Sequence, residues 1–194
     1  MAEIGSVCVY CGSSLGHEPR YRATAAQFGL ILAEAGIELV YGGGNIGLMG
    51  VLADAAIAGG GRVTGIIPED LKRAELAHDR LSDLVTVTSM HERKRQMFER
   101  ADAFVALPGG PGTLDETIEI ITWRQLRLHG KPVVILNDGG YWRPLVDLLE
   151  YTIANGFARE SFRRLYQVVD RVEDVLPALY RHRPPELPAR PERV

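Results

Sequence analysis

The stretch AFVALPGGPGTLDE, residues 103–116, joins an apolar run to a glycine-rich loop and then to the start of a helical pattern. A short, continuous apolar run is typical of a strand buried on both faces of a parallel sheet. Gly109, Gly110 and Gly112 can adopt backbone conformations closed to other residues, so that consecutive N–H groups can point at one anion. The stretch therefore predicts a strand, a loop suited to an anion, and a helix N-terminus directly behind that loop.

The same alternation of apolar runs and helical patterns extends along the whole chain. The predicted strands are residues 6–11, 37–41, 63–67, 84–88, 103–107, 132–136 and 167–169. The predicted helices are residues 19–35, 48–58, 91–101, 114–128, 142–155 and 172–180. This order predicts an α/β fold, a Rossmann-like, doubly wound, mostly parallel sheet of about seven strands with helices on both faces. Such sheets bind ligands beyond the carboxyl ends of their strands, so the site is expected there.

Length and composition narrow the class of protein. The 194 residues suit a single nucleotide-binding domain, residues 1–182, followed by a proline-rich extended or disordered tail, residues 183–194. A formal net charge of -3 disfavours a nucleic-acid partner. The chain has no apolar run of about 18 residues, as a membrane span would need, and its start lacks a basic region before the apolar one. We therefore expect a cytoplasmic protein without a membrane partner.

The two cysteines, Cys8 and Cys11, have the C-x-x-C spacing of a redox pair. An offset of three along a strand directs their side chains to opposite faces, which favours small buried apolar residues instead. A zinc site would need further ligands, and the carboxylates of the 109–116 loop have no histidine at ligand spacing. We therefore expect neither a metal nor a cofactor.

A second glycine-rich segment, YGGGNIGLMG, follows the second predicted strand and opens a helix. Gly42, Gly44 and Gly47 satisfy G-x-G-x-x-G, and Glu69 and Asp70 after the next strand stand roughly where a dinucleotide fold places its ribose-binding acid. This pattern favours NAD binding, but in such folds the motif follows the first strand. Close packing of helix against sheet explains the glycines as well as contact with a phosphate or sugar does.

Two cations stand near the start of the helix predicted before residue 103. Arg93 precedes Met97 by four residues and Lys94 precedes Phe98 by four, so both cations project from the face that turns toward the sheet. Cations in a first helical turn oppose the helix macrodipole, and stability therefore does not explain them. An anionic ligand explains both cations. The alternative is a solvated basic helix start whose apolar stems cover the neighbouring surface.

Thr113 and Glu116 have the T-x-x-E spacing of a capping box, in which Thr113 caps the helix and Glu116 folds back onto the cap. This interpretation explains Glu116 without any chemistry. It does not explain why a carboxylate and two cations occur at successive strand-to-helix junctions. No G-K-[ST] follows the glycines, so the loop is not of the Walker type, and a nucleotide with one phosphate suits it better than a triphosphate with magnesium.

PGGPGTLDE matches PGGxGTxxE and, together with MHERK and YGGGNIGLMG, resembles the LOG (Lonely Guy) family. Members of that family are cytokinin riboside 5'-monophosphate phosphoribohydrolases, often labelled lysine decarboxylases. The similarity extends from CVYCGSS through TWRQL and HGKPVVILN to GYW. The resemblance implies hydrolysis of the N-glycosidic bond of N6-substituted adenosine 5'-monophosphates, or of AMP, to free base and ribose 5-phosphate. It also implies a homodimer, which the apolar circumference of the helix at 114–128 favours as well.

By the family's pattern, Arg93 and Glu116 are the catalytic pair. A carboxylate suits the oxocarbenium character that develops on the ribose, and an arginine can offset the negative charge of the departing purine but is a poor proton donor. The source of the proton stays unassigned. The residues that the resemblance places around the substrate are Gly43, Glu75, Lys94, Gly110, Pro111, Gly112, Thr113, Leu114, Asp115 and Thr122.

Two other classes of function are open at this stage, a noncatalytic nucleotide or cofactor carrier and an NAD-dependent oxidoreductase. The decarboxylase label implies a pyridoxal Schiff base, for which the chain offers only Lys72, Lys94 and Lys131. Lys94 alone stands at the expected ligand edge, where the adjacent Arg93 favours phosphate binding. The sequence thus favours the hydrolase.

Overall fold

The computed structural model describes residues 4–72 and 77–181. Seven parallel strands form one sheet in the order β4-β3-β2-β1-β5-β6-β7. The strands are β1 Ser6–Tyr10, β2 Glu38–Tyr41, β3 Val63–Pro68, β4 Asp83–Val87, β5 Ala103–Ala106, β6 Val133–Leu136 and β7 Gln167–Val169. The predicted parallel α/β sheet is confirmed. The predicted tail, residues 183–194, lies outside the described residues, and the domain boundary at residue 182 stays a prediction.

Helices cover both faces of the sheet, as a doubly wound fold requires. They are α1 Pro19–Glu34, α2 Gly47–Ala58, α3 Glu69–Lys72, α4 Met90–Arg100, α5 Pro111–Gln125, α6 Arg143–Ala154 and α7 Val175–Tyr180. Apolar residues of α1, α2 and α7 pack on one face, and those of α4, α5 and α6 pack on the other. The short helix α3 was absent from the prediction, and the predicted helix at 172–180 begins as a 3-10 turn, Val172–Asp174. None of the described helices is both long and apolar enough to cross a bilayer.

The central strand β1 is buried at every position, and all of its residues after Ser6 belong to the apolar core. Val7 and Val9 point into the layer beneath α1 and α2, whereas Cys8 and Tyr10 point into the layer beneath α4 and α5. Cys11 joins the first of these layers, so the two cysteines lie on opposite faces as free, buried thiols. Burial raises the pKa of Cys11 above its usual range. The C-x-x-C spacing therefore reflects packing, as the strand geometry predicted.

The strand order reverses between β1 and β5, and the loops that leave these two strands run side by side. The N–H of Gly12 donates to the carbonyl of Pro108 at 3.0 Å, and the N–H of Leu107 donates to that of Tyr10 at 2.9 Å. In open parallel sheets a crevice forms at such a reversal, because the crossover helices on its two sides cover opposite faces. The glycine-rich loop after β5 therefore forms one wall of this crevice.

Helices α1 and α2 approach each other closely at Gly29, which is buried in α1. A Cβ atom at this position would overlap the carbonyl oxygen of Leu52 and lie 2.9 Å from the nitrogen of Ala56, both in the backbone of α2. A flexible side chain could move aside, but a helix backbone can yield only by shifting the whole element. Gly29 thus sets the distance between the two helices.

We expect Gly29→Ala to lower the free energy of unfolding by about 1–3 kcal/mol through overpacking. This cost exceeds the gain of about 1 kcal/mol from the higher helix propensity of alanine. Urea denaturation measures the difference. Gly130→Ala is the matched control, because a Cβ at Gly130 meets no atom within 4 Å. Equal stability of the two variants would contradict close packing at Gly29.

Candidate active site

A cleft of about 250 Å³ opens at the carboxyl ends of β1 and β5, where the strand order reverses. The structure brings together in it Arg93 of α4 and two parts of α5, Glu116 and residues 110–113 at the start of the helix. Gly42, directly after β2, completes the wall behind Arg93. A cation, a carboxylate and a helix N-terminus therefore face the same space.

The guanidinium of Arg93 is buried, with 6% of the residue exposed. Its Nη2 donates to the carbonyl oxygen of Gly42 at 3.0 Å, and its Nη1 contacts the sulfur of Met90 at 3.7 Å. A Cβ atom at Gly42 would collide with the guanidinium, so that only glycine leaves room for it. Arg93 therefore places a positively charged hydrogen-bond donor in the wall of the cleft.

Helix α5 begins at Pro111, three residues before its predicted start. Gly110 is its N-cap in extended conformation and makes no side-chain capping hydrogen bond. Proline is favoured at a first helical position, because its φ is preset and it lacks an N–H that would go unsatisfied there. Thr113 lies inside the helix and is buried against Gly109. The capping-box interpretation of Thr113 and Glu116 was therefore wrong.

Because α5 begins at Pro111 and not at residue 114, a different set of backbone N–H groups faces the cleft. The N–H groups of the first helical turn have no acceptor within the helix, and here they belong to Gly112 and Thr113, both of which line the cleft. Leu114 begins the regular helical pattern by donating its N–H to the carbonyl of Gly110 at 3.1 Å. The positive end of a 15-residue helix therefore adjoins the space that Arg93 and Glu116 share.

The N-terminus of α2, behind the G-x-G-x-x-G segment, is closed by protein instead. The N–H of Leu48 donates to the carbonyl of Gly12 at 3.0 Å. Gly47 has a φ of 59°, and the backbone of Ser13 fills the space where its Cβ would lie. Glu69 and Asp70 are exposed in α3 and do not line the cleft. The structure therefore favours the packing explanation of these glycines over a dinucleotide site.

Comparison with known proteins agrees with this geometry. The family model described as "Possible lysine decarboxylase" matches residues 49–179. The probable cytokinin riboside 5'-monophosphate phosphoribohydrolase LOGL5 of Oryza sativa subsp. japonica is 45% identical over 92% of this chain and 73% of its own length. The cytokinin riboside 5'-monophosphate phosphoribohydrolase LOG7 of Arabidopsis thaliana is 42% identical over 92% of this chain and 82% of its own. The chain belongs to the LOG family.

Solved structures of lower similarity share the fold. The molybdenum cofactor carrier protein of Chlamydomonas reinhardtii is 18% identical with a TM-score of 0.67, over 92% of this chain and 97% of its own. The molybdenum cofactor binding protein of Rippkaea orientalis is 22% identical with a TM-score of 0.64, over 89% of this chain and 91% of its own. At these identities the likeness extends to the fold alone.

Lys94, which the LOG pattern places at the substrate, lies beside the cleft and joins α4 to α5. Its Nζ lies 2.7 Å from Oδ2 of Asp115 and 3.3 Å from Oε2 of Glu119. Burial alone would lower the pKa of Lys94, but the hydrogen bonds and charges of these two carboxylates outweigh it and raise the pKa. Asp115 lines the cleft, whereas Lys94 does not. The ion pair therefore holds two walls of the cleft together.

The remaining residues of the LOG pattern lie further from the cleft or outside the described residues. Thr122 donates its hydroxyl to the carbonyl of Ile118 at 2.7 Å, about three turns into α5. Gly43 has a φ of 77° and packs against Ile66 of β3. Neither lines the cleft. Glu75 falls in residues 73–76, which lie outside the described part of the chain.

Sequence reasoning missed the apolar wall of the cleft. Met49 of α2, Leu71 of α3, and Met90 and Met97 of α4 all line the cleft. Such residues carry no chemical signature in a sequence, because apolar side chains at helical spacing are usually core. Ser13 also lines the cleft. Its position directly after β1, at the same edge as the other loops, could have identified it.

The three lysines of the chain all fall within described residues, and none lines the cleft. Lys94 is held between two carboxylates, and the partly exposed Lys72 pairs with Glu69. Lys131 donates to the carbonyl of Phe98 at 2.7 Å, and burial lowers its pKa. It precedes β6, at the opposite edge of the sheet from the cleft. The geometry therefore offers no lysine for a Schiff base with a substrate in this cleft.

We expect Lys94→Met to lower the free energy of unfolding by about 1–2 kcal/mol, because Asp115 and Glu119 lose their shared cation. Arg95→Met is the matched control on the same helix. Arg95 also pairs with two glutamates, but its side chain is 51% exposed, against 18% for Lys94. Its replacement should therefore cost less than that of Lys94, because solvent screens an exposed ion pair. Chemical denaturation of both variants measures the costs, and equal values would contradict a special role for Lys94.

The same comparison has a predicted pH dependence. Because the pKa of Lys94 is raised in the folded state, its contribution is complete below the usual value of 10.5 and is lost as pH rises through the folded-state pKa. The stability difference between the wild type and Lys94→Met should stay constant from about pH 7 to about pH 9 and shrink at higher pH.

Proposed function

We propose that this chain hydrolyses the N-glycosidic bond of N6-substituted adenosine 5'-monophosphates and of AMP, releasing free base and ribose 5-phosphate. The observation that carries the proposal is the cleft itself, in which a buried arginine, a carboxylate and an open helix N-terminus meet. The relatives that bear the name of this activity are 40–46% identical to the chain.

The 5'-phosphate binds at the start of α5. A Cβ at Gly110 or Gly112 would meet no atom within 4 Å, so packing does not require glycine at either position. Glycine there leaves the backbone open to close approach by a ligand. The N–H groups of Gly112 and Thr113 donate to the phosphate, and the positive end of the helix adds to its binding. Asp115 and Lys94 hold this turn against α4.

Glu116 acts on the ribose. It stands one turn beyond the phosphate-binding residues and lines the same cleft, so a ribose attached to the phosphate reaches it. Departure of the base builds oxocarbenium character on the sugar, which a carboxylate stabilises. The same carboxylate orients and deprotonates the attacking water. The role requires an ionised Glu116.

Arg93 acts on the departing base, whereas Glu116 acts on the ribose. As the purine departs it gathers negative charge, which a guanidinium in a water-poor wall offsets more strongly than it would in water. The bond from Arg93 to Gly42 fixes the direction of the guanidinium before substrate binds. The methionines and Leu71 give the purine an apolar surface.

The carrier alternative is less supported. The molybdenum cofactor carrier protein and the molybdenum cofactor binding protein share the fold at 18% and 22% identity, far below the named phosphoribohydrolases. A carrier would bind a nucleotide and release no base, so one chromatographic assay separates the two functions. An oxidoreductase of this fold would bind the phosphates of NAD at the N-terminus of α2. The backbone of the β1 loop closes that N-terminus, which disfavours this alternative.

We expect Glu116→Gln to reduce kcat for AMP by about 100-fold or more with little change in KM, because the amide keeps the shape and loses the charge. Glu119→Gln, one turn further along α5 and outside the cleft lining, should keep kcat within about fivefold. Chromatography of free adenine measures the activity of both variants.

Comparison of AMP with isopentenyladenosine monophosphate then ranks the substrates. A wild type that binds AMP without releasing adenine would instead support the carrier.

We also propose that the chain forms a homodimer through the α5 and α6 layer. Large apolar side chains that are more than half exposed come, among the described residues, from one stretch of chain: Leu126, Leu128, Leu148, Tyr151 and Phe157. The sequence prediction rested on the apolar circumference of the helix at 114–128. Ile121 is fully buried in the core, whereas Leu126 remains exposed.

The cytoplasmic location expected from the sequence stays a prediction.

Light scattering during size-exclusion chromatography should give twice the chain mass for the wild type. Leu148→Glu should shift the protein toward monomer, because a charge in an apolar interface is left without a partner. Leu30→Glu on α1, in the opposite layer, is the control and should leave the mass unchanged. A monomeric wild type, or equal effects of both variants, would contradict the proposed interface.

A further inference from the structure

The loop between β5 and α5 has open space on both sides. Gly110 and Pro111 line the candidate active site and also a second cavity of about 330 Å³ behind the loop. Gly109 and Tyr141 line the second cavity and not the first. Packing against Thr113 and Gly12 fixes the position of Gly109, but hydrogen bonds determine the direction in which the peptide groups of the loop point.

Tyr141 makes one of these hydrogen bonds. Its hydroxyl donates to the carbonyl oxygen of Gly109 at 2.6 Å, across 32 positions of sequence. On the other side, the N–H of Gly12 donates to the carbonyl of Pro108 at 3.0 Å. Two successive carbonyl groups of the loop are therefore bound by different parts of the fold, one by the β1 loop and one by the segment that follows β6.

The fold holds the Tyr141 side chain in place before any ligand binds. After β6 the chain turns through Gly139 and Gly140, whose φ values of 59° and 82° are in the left-handed region that favours glycine. The Tyr141 ring then meets the rings of Tyr21 at 5.3 Å and Trp142 at 4.9 Å, both edge to face. This packing on two sides restricts the rotamer, so the hydroxyl approaches Gly109 from a fixed direction.

The peptide bond between Gly109 and Gly110 couples the hydrogen bond from Tyr141 to the direction of the Gly110 N–H. The described chain has no cis peptide bond, and in a planar trans peptide the C=O and the N–H point in opposite directions. A Gly109 carbonyl held by Tyr141 therefore directs the N–H of Gly110 away from Tyr141. Because both residues are glycine, the peptide can flip at little steric cost unless something holds it.

We propose that Tyr141 is a positioning residue, which locks the Gly109–Gly110 peptide so that the N–H of Gly110 donates to the 5'-phosphate. The inference rests on the proposed function, in which the start of α5 binds that phosphate. Tyr141 touches neither the substrate nor the reacting atoms. Its effect is confined to phosphate affinity, whereas Glu116 and Arg93 act on the glycosidic bond.

Tyr141→Phe removes the hydroxyl and keeps the ring packing. Calorimetry should show ribose 5-phosphate binding about three- to tenfold more weakly, the effect of one neutral hydrogen bond, with adenine binding unchanged. The KM for AMP should rise by the same factor while kcat stays within about twofold. Tyr21→Phe is the matched control, since Tyr21 lines the same cavity and packs on Tyr141. It should leave all three values unchanged.

The outcomes separate the positioning role from the proposed function. Equal weakening of adenine and ribose 5-phosphate, or a fall in kcat without a rise in KM, would indicate a general structural role and overturn the proposal. Unchanged ribose 5-phosphate affinity would overturn it as well. If the wild type releases no adenine from AMP, but Tyr141→Phe still weakens ribose 5-phosphate selectively, the hydrolase fails and the positioning role stands. Thermal melting checks that each variant is folded.

Discussion

The reversal of strand order at β1 is the constraint on which the rest of the structure depends. From β1 the chain builds outward to β4 and then returns to place β5 on the other side of β1. Crossovers between parallel strands are right-handed, so the change of direction moves the helices from one face of the sheet to the other. Helices α1 and α2 cover one face, and α4 to α6 cover the opposite one. The loops after β1 and β5 are thereby left facing an opening that none of the helices in residues 4–72 and 77–181 fills.

Charges at this opening are arranged before any ligand arrives. Arg93 is buried against the carbonyl of Gly42, where a residue with a side chain would exclude it. Lys94, the next residue on α4, reaches the other way and binds carboxylates of α5. The two adjacent cations therefore have different roles. Arg93 faces the cleft, whereas Lys94 fixes the distance between its walls. This explains why both occur in a helical turn whose dipole disfavours them.

The glycines of the chain serve different physical purposes despite their similar motifs. Gly42 admits a guanidinium, and Gly47 admits the backbone of the β1 loop. Gly110 and Gly112 face open space, where glycine leaves the backbone open to a ligand. A pattern such as G-x-G-x-x-G does not distinguish these cases, because it records the absence of a side chain and not what occupies the vacated space. Of the two helix N-termini behind glycine-rich segments, one is therefore closed and the other open.

The sequence by itself determined the parallel α/β architecture, the strands to within a residue or two, the burial of both cysteines on opposite faces and the edge of the sheet where the cleft lies. These features follow from local periodicity, which burial on one or two faces imposes directly on the residues. The family motifs likewise named Arg93 and Glu116, which the structure brings to one cleft. Only the tertiary structure decided that α5 begins at Pro111, that Lys94 pairs with Asp115, that methionines line the cleft and that Tyr141 binds the loop from behind. Each of these depends on atoms from segments distant in sequence, whose approach is set by packing and leaves no local pattern in the chain.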